Sequence, residues 1–231
     1  VPETQAVIEP PDRQRLALLV GLGTVGVGSS IVYSRYILSQ LSIDDGAYEA
    51  AVWMRDHADE RGWSYPRNYV LSSWGRARMF NYLVNGESWS YGYARRHYED
   101  FIFGDAPTEW YERFKDRVGF VITRDRAGLR LRTNQARLHD NYGSAGNSLA
   151  GAGHYRAMWE SSDRVLKVFT LVPGATVTGT GPAETTLTLS TTVTIGGTGR
   201  TVPYRRRVET DAEGAFSLSL ANPGKYEFSG W

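Results

Sequence analysis

Cysteine is absent from all 231 residues, which removes disulfide frameworks, thiolate nucleophiles and cysteine-based zinc sites and leaves the compartment open. Charge of one sign is not in excess either. Twenty-six basic against 25 acidic residues give a formal net charge of +1, so no whole-chain field draws nucleic acid or acidic lipid. Histidine is scarce: His57, His97, His139 and His154 are far apart and make no HExxH-like spacing, so each reads as a surface or packing residue rather than a metal ligand. The glycine-rich stretches carry no phosphate-loop Lys-Ser/Thr pair, and no nucleophile, triad or carboxylate pair stands in a motivated arrangement. Catalytic, cofactor-binding and metal-ligating residues are therefore not expected in this chain.

What is present suffices for a packed core: 41% of residues are hydrophobic and 13% aromatic, in a length that fits one or two domains. The chain opens on Val1 rather than Met, and we read it as a piece of something longer. Residues 1–15 (VPETQAVIEPPDRQR) form a polar, proline-rich tether. From Leu16 to Ser34 no charge occurs, about the length a helix needs to cross a bilayer core. Arg13 and Arg15 precede this run and Asp44 and Asp45 come after it, so the positive-inside rule puts the tether in the cytoplasm and the residues after about 38 outside. A competing pattern overlaps it: Gly21, Gly23 and Gly26 spell G-x-G-x-x-G after a strand-like Leu16 to Val20, with acids at the later spacing of a dinucleotide site. Against that reading, no alternation of parallel strands and helices comes after it.

Asp44 to Glu60 has helical spacing, with Tyr48, Ala51, Val52 and Met54 recurring and Gly62 just past the end. Tyr69 to Leu71 is a short strand that stops at Ser72, Ser73, Trp74 and Gly75, and an arginine- and aromatic-rich segment succeeds it. Rigid strand ends that release such residues into a loop are good places for binding sites, although Trp and Tyr there also serve as packing. Met79 to Val84 fits a helical turn or a second strand. Tyr91 to Phe103 is helical, and Thr108 to Arg117 is a further helix introduced by Pro107. Val118 to Thr123 is a buried-type strand, and residues 124–154 read as an irregular surface connection. Tyr155 to Glu160 and Val165 to Val172 read as half-buried strands. Beyond Pro173, Thr, Val and Gly dominate, and short strands between Gly or Pro turns give a β-sandwich signature. The run Arg205, Arg206, Arg207 reads as the solvated face or edge guard of a strand rather than a binding patch. The fold class is thus α+β: residues 1–15 a tether, 16–38 a transmembrane helix, 39–165 a mixed α/β core and 166–231 an antiparallel β-sandwich.

The order of an apolar helix, AVWMRDHA, YVLSSWG, VGFVIT, HYRAMWE and VLKVFTLVPGATVTGTG resembles the C-terminal region of the catalytic subunit of oligosaccharyltransferase, the STT3/AglB family. The tail, with VETDAEGAFSLSLANPGKYEF, is similar to transthyretin-like or carboxypeptidase-regulatory-like β-sandwiches. The resemblance implies a membrane glycosyltransferase acting in protein N-glycosylation, with acceptor polypeptide and lipid-linked glycan as partners. The divalent metal it implies would be held by carboxylates upstream of this chain. It also implies that VLSSWGRAR occupies the place of the WWDYG motif, which reads the Ser or Thr of an N-x-S/T acceptor. Ser73 replaces the first Trp, Trp74 keeps the second, Gly75 replaces Asp and Arg76 replaces Tyr. Trp74, Gly75, Arg76 and Arg78 are the acceptor-binding candidates that the resemblance implies. A non-catalytic, membrane-anchored interaction module is the alternative that Gly75 favours, and a dinucleotide-binding oxidoreductase is the other. No Asn in the chain is itself succeeded by x-Ser or x-Thr.

Overall fold

The computed structural model describes residues 43–126, 132–146 and 149–230 continuously, with a few positions before residue 43. Residues 45–231 form one contact unit and residues 1–44 another. The segment 16–38 lies for the most part outside the described residues, and among those described no helix is long and apolar enough to cross a membrane. Ala17, Val20 and Gly21 are helical, which conflicts with the strand that a dinucleotide fingerprint requires before its glycines.

Helix α1 (Asp45–Glu60) buries Ala47, Ala50, Ala51, Met54, His57 and Ala58. That is one face at a period of 3.6, and its alanines let the helix lie close to the sheet. It ends in a Schellman motif: Gly62, at φ 62°, donates to Asp59 O at 3.0 Å and Trp63 donates to Ala58 O at 2.9 Å. Next in the chain come strand β1 (Tyr69–Leu71), then α2 (Trp74–Asn85), α3 (Tyr91–Phe103), α4 (Pro107–Phe114) and β2 (Val118–Arg124). Met79 to Val84 is therefore helix, and α2 starts five residues earlier than periodicity alone suggests, directly after the serine pair. It stops at Gly86, which adopts the left-handed conformation at φ 74°. Helix α4 ends at Phe114 rather than Arg117, and Ala106 sits at its cap without a side-chain bond.

The core sheet runs β1-β2-β4-β3, with β1 and β2 parallel and the other pairs antiparallel. Strand β3 is Tyr155–Glu160 and β4 is Leu166–Leu171. Because side chains alternate along a strand, Val70, Phe120, Ile122 and Val168 join α1 on one face. Tyr69, Leu71, Val121 and Phe169 meet Ala94, Tyr98, Phe101 and Phe114 on the other. Since β4 lies between β2 and β3, residues 166–171 belong to this sheet and not to the terminal sandwich. The two small sheets of the tail begin beyond Pro173, where the composition shifts.

Residues 132–146 are not a surface connection. Thr133 to His139 are buried, and Ala136–Asp140 forms a single π-helical turn. Their polar side chains hold the main chain: Asn134 Nδ2 donates to Phe101 O at 2.9 Å and Gln135 Nε2 to Arg124 O at 2.6 Å. A polar, glycine-bearing sequence looks like surface, yet it can be interior wherever side-chain amides replace water in this way.

The tail makes two sheets, β5-β8 and β7-β6-β9, from β5 (Ala175–Thr180), β6 (Thr186–Thr194), β7 (Thr201–Glu209), β8 (Ala215–Leu220) and β9 (Glu227–Ser229). Leu189, Leu218 and Leu220 form the core between them, packed by Val177, Val208 and Tyr226. Along β7, Val202 and Tyr204 are buried while Pro203, Arg205 and Arg207 are exposed. Arg206, between them, is half-buried and donates Nε to Ser219 O at 3.2 Å. The tail is tied to the core by Tyr204 Oη to Ala152 O at 3.0 Å, Arg156 Nε to Ala221 O at 2.7 Å, and the Arg205 backbone N–H to Ser144 Oγ at 2.8 Å.

Candidate functional site

Two parallel strands bring their carboxyl ends to one edge of a sheet, which is where open α/β sheets place ligands. Here β1 releases Ser72 and Ser73, and the neighbouring β2 ends at Arg124 and releases Asp125 and Arg126. Between them lies a cleft of about 120 Å³ lined by Ser72, Ser73, Arg76, Arg124, Asp125 and Arg126, with Phe80, Tyr98, Ile122 and Leu166 as its apolar side. Helix α2 opens at its rim.

Asn81 fixes that helix to the strand. Its Oδ1 accepts from Val70 N at 2.9 Å and its Nδ2 donates to Val70 O at 2.8 Å and to Ala77 O at 2.8 Å. The side chain thereby acts as a substitute strand along the open edge of β1, and Ser72 and the first turn of α2 are held in one place.

Trp74 and Arg76 stand together on the first turn of α2. Trp74 is 53% exposed at the rim, beneath the Arg95 guanidinium at 5.6 Å from the ring centre, and Arg76 lines the cleft. Gly75 is open, with no atom within 4 Å of where a Cβ would sit. Arg78 is not part of this group. It turns toward α3, over the Tyr91 ring at 4.5 Å, and donates Nε to Ser88 O at 3.3 Å.

Charge in the cleft is mixed. Arg126 pairs with Glu99 through two bonds of 2.9 and 3.1 Å, and the bond to Glu99 raises its pKa. Tyr98 donates to Ile122 O at 2.9 Å, and burial raises its pKa so that it stays neutral. Asp125 brings a carboxylate to the same space as Ser72, Ser73 and Arg76. Such a mixture can take a polar ligand carrying both hydroxyl or amide groups and an anionic or carbonyl oxygen. Sequence reasoning misses Arg124, Asp125 and Arg126 because they open a segment that reads as a surface connection. The available signal is that two parallel strands end together. Among the described residues no group of three or more histidine, aspartate or glutamate side chains is gathered that could hold a metal ion.

A core sheet with a parallel edge and a cleft at its strand ends, followed by two small sheets, is a fold that this chain shares with solved oligosaccharyltransferase structures. The relatives that define it are archaeal. The chain is similar to the Archaeoglobus fulgidus oligosaccharyltransferase AglB in complex with an inhibitory peptide and a dolichol-phosphate, at a TM-score of 0.56 and 16% identity, over 94% of this chain and 42% of that one. The apo form of the same enzyme gives 0.59 at 15% identity over 96% and 44%, and the form tethered to an acceptor peptide containing the NVT sequon gives 0.59 at 14% over 96% and 45%. The chain thus spans less than half the length of these structures. Residues 174–228 match the archaeal glycosylation protein B long peripheral domain. The resemblance to the STT3/AglB C-terminal region stands on these findings together. No curated protein matches the chain.

Proposed function

We propose that the chain is the globular region of an oligosaccharyltransferase-type glycosyltransferase, on the extracytoplasmic side of a membrane, and that the cleft beside α2 binds acceptor polypeptide or glycan. The observation that carries this reading is the cleft that Arg76 shares with Ser72, Ser73 and Asp125 at the carboxyl ends of β1 and β2, with Trp74 exposed beside it at the start of α2. Trp74 offers an exposed ring for stacking, Arg76 a fork for a carbonyl or phosphate oxygen, and Asp125 an acceptor for a hydroxyl. The reading is supported by the fold shared with the AglB structures, two of which contain a bound peptide.

A second reading rests on Gly75. Where the WWDYG motif would place a carboxylate, this chain has none, so a non-catalytic module that still binds is compatible with the same cleft. Titrating the chain with labelled N-x-T and N-x-A peptides and with a lipid-pyrophosphate glycan tests both. Binding that falls by about tenfold in Arg76→Ala and Trp74→Ala supports the site, and no binding of any of these ligands refutes it. Transfer of glycan to peptide by the longer protein separates enzyme from module.

A further inference from the structure

Trp74, Arg78 and Tyr82 succeed one another every four residues along α2, so they share one solvent face of the helix. Tyr82 is 64% exposed. Helix α3 adds Arg95, over the Trp74 ring, and Tyr91, beneath Arg78. The bond from Arg78 to Ser88 O brings in the neighbouring Trp89, which at 84% is the most exposed of the large apolar side chains in the described residues. The result is a strip in which cations and rings alternate across two helices and the loop between them. Glu87, two residues before Trp89, accepts from the Trp89 backbone N–H at 2.6 Å and keeps its charge, so two arginines, Arg78 and Arg95, against one carboxylate leave the strip positive. Arg78, Tyr82, Trp89 and Arg95 line none of four clefts among the described residues, which suits a broad partner rather than a small ligand.

Trp and Tyr rings settle at the boundary between headgroups and acyl chains, and arginines keep their stems along apolar matter while their heads reach phosphates. A folded protein partner would need carboxylates in register with Arg78 and Arg95. An anionic bilayer supplies phosphates at any position. We propose that this strip seats the domain on an anionic phospholipid surface, with Trp89 and Tyr82 at headgroup level and Arg78 and Arg95 on lipid phosphates. In sequence, the charge-free run Leu16 to Ser34 ends shortly before α1, which suits a domain working beside a membrane. The contact residues differ from those of the cleft apart from Trp74, so the two proposals fail separately.

The test is flotation of the whole chain with phosphatidylglycerol-containing and pure phosphatidylcholine vesicles, with Trp fluorescence quenching by brominated lipid. Two variants are used, Trp89→Ser/Tyr82→Ser and Arg78→Gln/Arg95→Gln, all at exposed positions and checked by circular dichroism. The expected result is that each variant loses about tenfold or more of its affinity for anionic vesicles, that wild-type binding weakens with salt, and that Trp89→Phe removes part of the quenching. Residual attachment through the apolar run is common to all variants and cancels. Equal vesicle binding by wild type and both variants overturns the proposal, as does a strip whose substitution changes peptide binding and leaves vesicle binding intact. Arg76→Ala is expected to leave vesicle binding unchanged.

Discussion

Tyr142 donates its phenolic hydrogen to the carboxylate of Glu160 at 2.6 Å, and Glu160, from β3, has no exposed surface. Thr198 Oγ1 at 2.7 Å and Arg200 Nε at 3.1 Å, both from the turn between β6 and β7, converge on the same carboxylate, and Arg200 also reaches Tyr142. Lys167 Nζ stands 3.8 Å from the centre of the Tyr142 ring and donates to His139 O at 2.5 Å. One acid therefore ties the core sheet, the buried segment after the π-turn and the tail. Burial alone would raise its pKa, but the bonds from Arg200, Thr198 and Tyr142 outweigh it and hold the carboxyl below the usual range.

Glu160→Gln turns a donor group toward other donors, and Gln cannot satisfy three of them at once. Arg200 retains access to water, which moderates the loss. The expected cost is about 2 kcal/mol, within the range for breaking a charged hydrogen-bond set. It is read as a lower urea midpoint at unchanged slope. A midpoint equal to that of the unsubstituted chain removes Glu160 as a tie between core and tail.

Acid destabilises the fold through two buried histidines. Burial, then Arg61 and Arg156, lowers the His57 pKa to about 4, and burial with Lys167 lowers His139 to about 4. Arg61 NH1 lies 3.1 Å from His57 Nδ1, and because guanidinium only donates, that nitrogen must carry a lone pair. Both histidines are thus neutral in the fold, while in the unfolded chain they protonate below about pH 6.5. Stability is full above that pH and falls from about 6.5 toward 4, because over this window the unfolded state binds more protons. Glu160 adds a further loss with the same sign, below the ordinary Glu range. Between pH 7 and 5 the expected drop in unfolding free energy is about 2 to 4 kcal/mol, and His57→Leu flattens the slope by roughly half. Urea midpoints that do not move over this interval contradict it.

How far the sequence makes each element legible differs for physical reasons. Helix α1, β1, α3 and β2 can be read because their apolar spacing matches their burial. Where a side chain replaces a backbone partner, periodicity is silent: Asn81 looks like a polar break in Met79 to Val84, yet it is buried against Val70. The same holds for Asn134 and Gln135, whose amides take the place of water inside a segment that reads as surface. For the site, Trp74 and Arg76 can be found from their place after a strand end. Asp125 and Arg126 cannot, because their approach to Ser72 depends on β1 and β2 pairing in parallel across an intervening stretch of three helices. Arg78 lies on the face of α2 that carries Trp74, and its bond to Ser88 O and contact with Tyr91 keep it off the cleft that Arg76 lines.

Asn81→Leu tests whether the helix is held to the strand by its amide. The substitution keeps the volume close but strands the N–H and C=O of Val70 without partners in a buried site. A loss of about 2 to 4 kcal/mol is expected, with weakened peptide binding as the first turn of α2 loosens. Asn81→Asp keeps the acceptor for Val70 N and loses the two donations, so it separates the two halves of the interaction. An Asn81→Leu chain as stable as the original denies the amide this role.

Gly75→Asp asks whether the missing carboxylate is what limits hydroxyl recognition. The position has room, since nothing lies within 4 Å of an added Cβ, and the first turn of α2 contains no acid. An aspartate there replaces the poorest interior helix former but one and places negative charge at the positive end of the helix dipole. Stability is expected to rise by about 0.5 to 1 kcal/mol, seen as a higher melting temperature. If an acceptor hydroxyl sits at the rim of the cleft, the new carboxylate adds an exposed hydrogen-bond acceptor there, and preference for N-x-T over N-x-A peptide should increase by about threefold to tenfold. A stabilised variant with no change in that preference would separate the two effects and place hydroxyl recognition elsewhere, with Asp125 the next carboxylate to substitute.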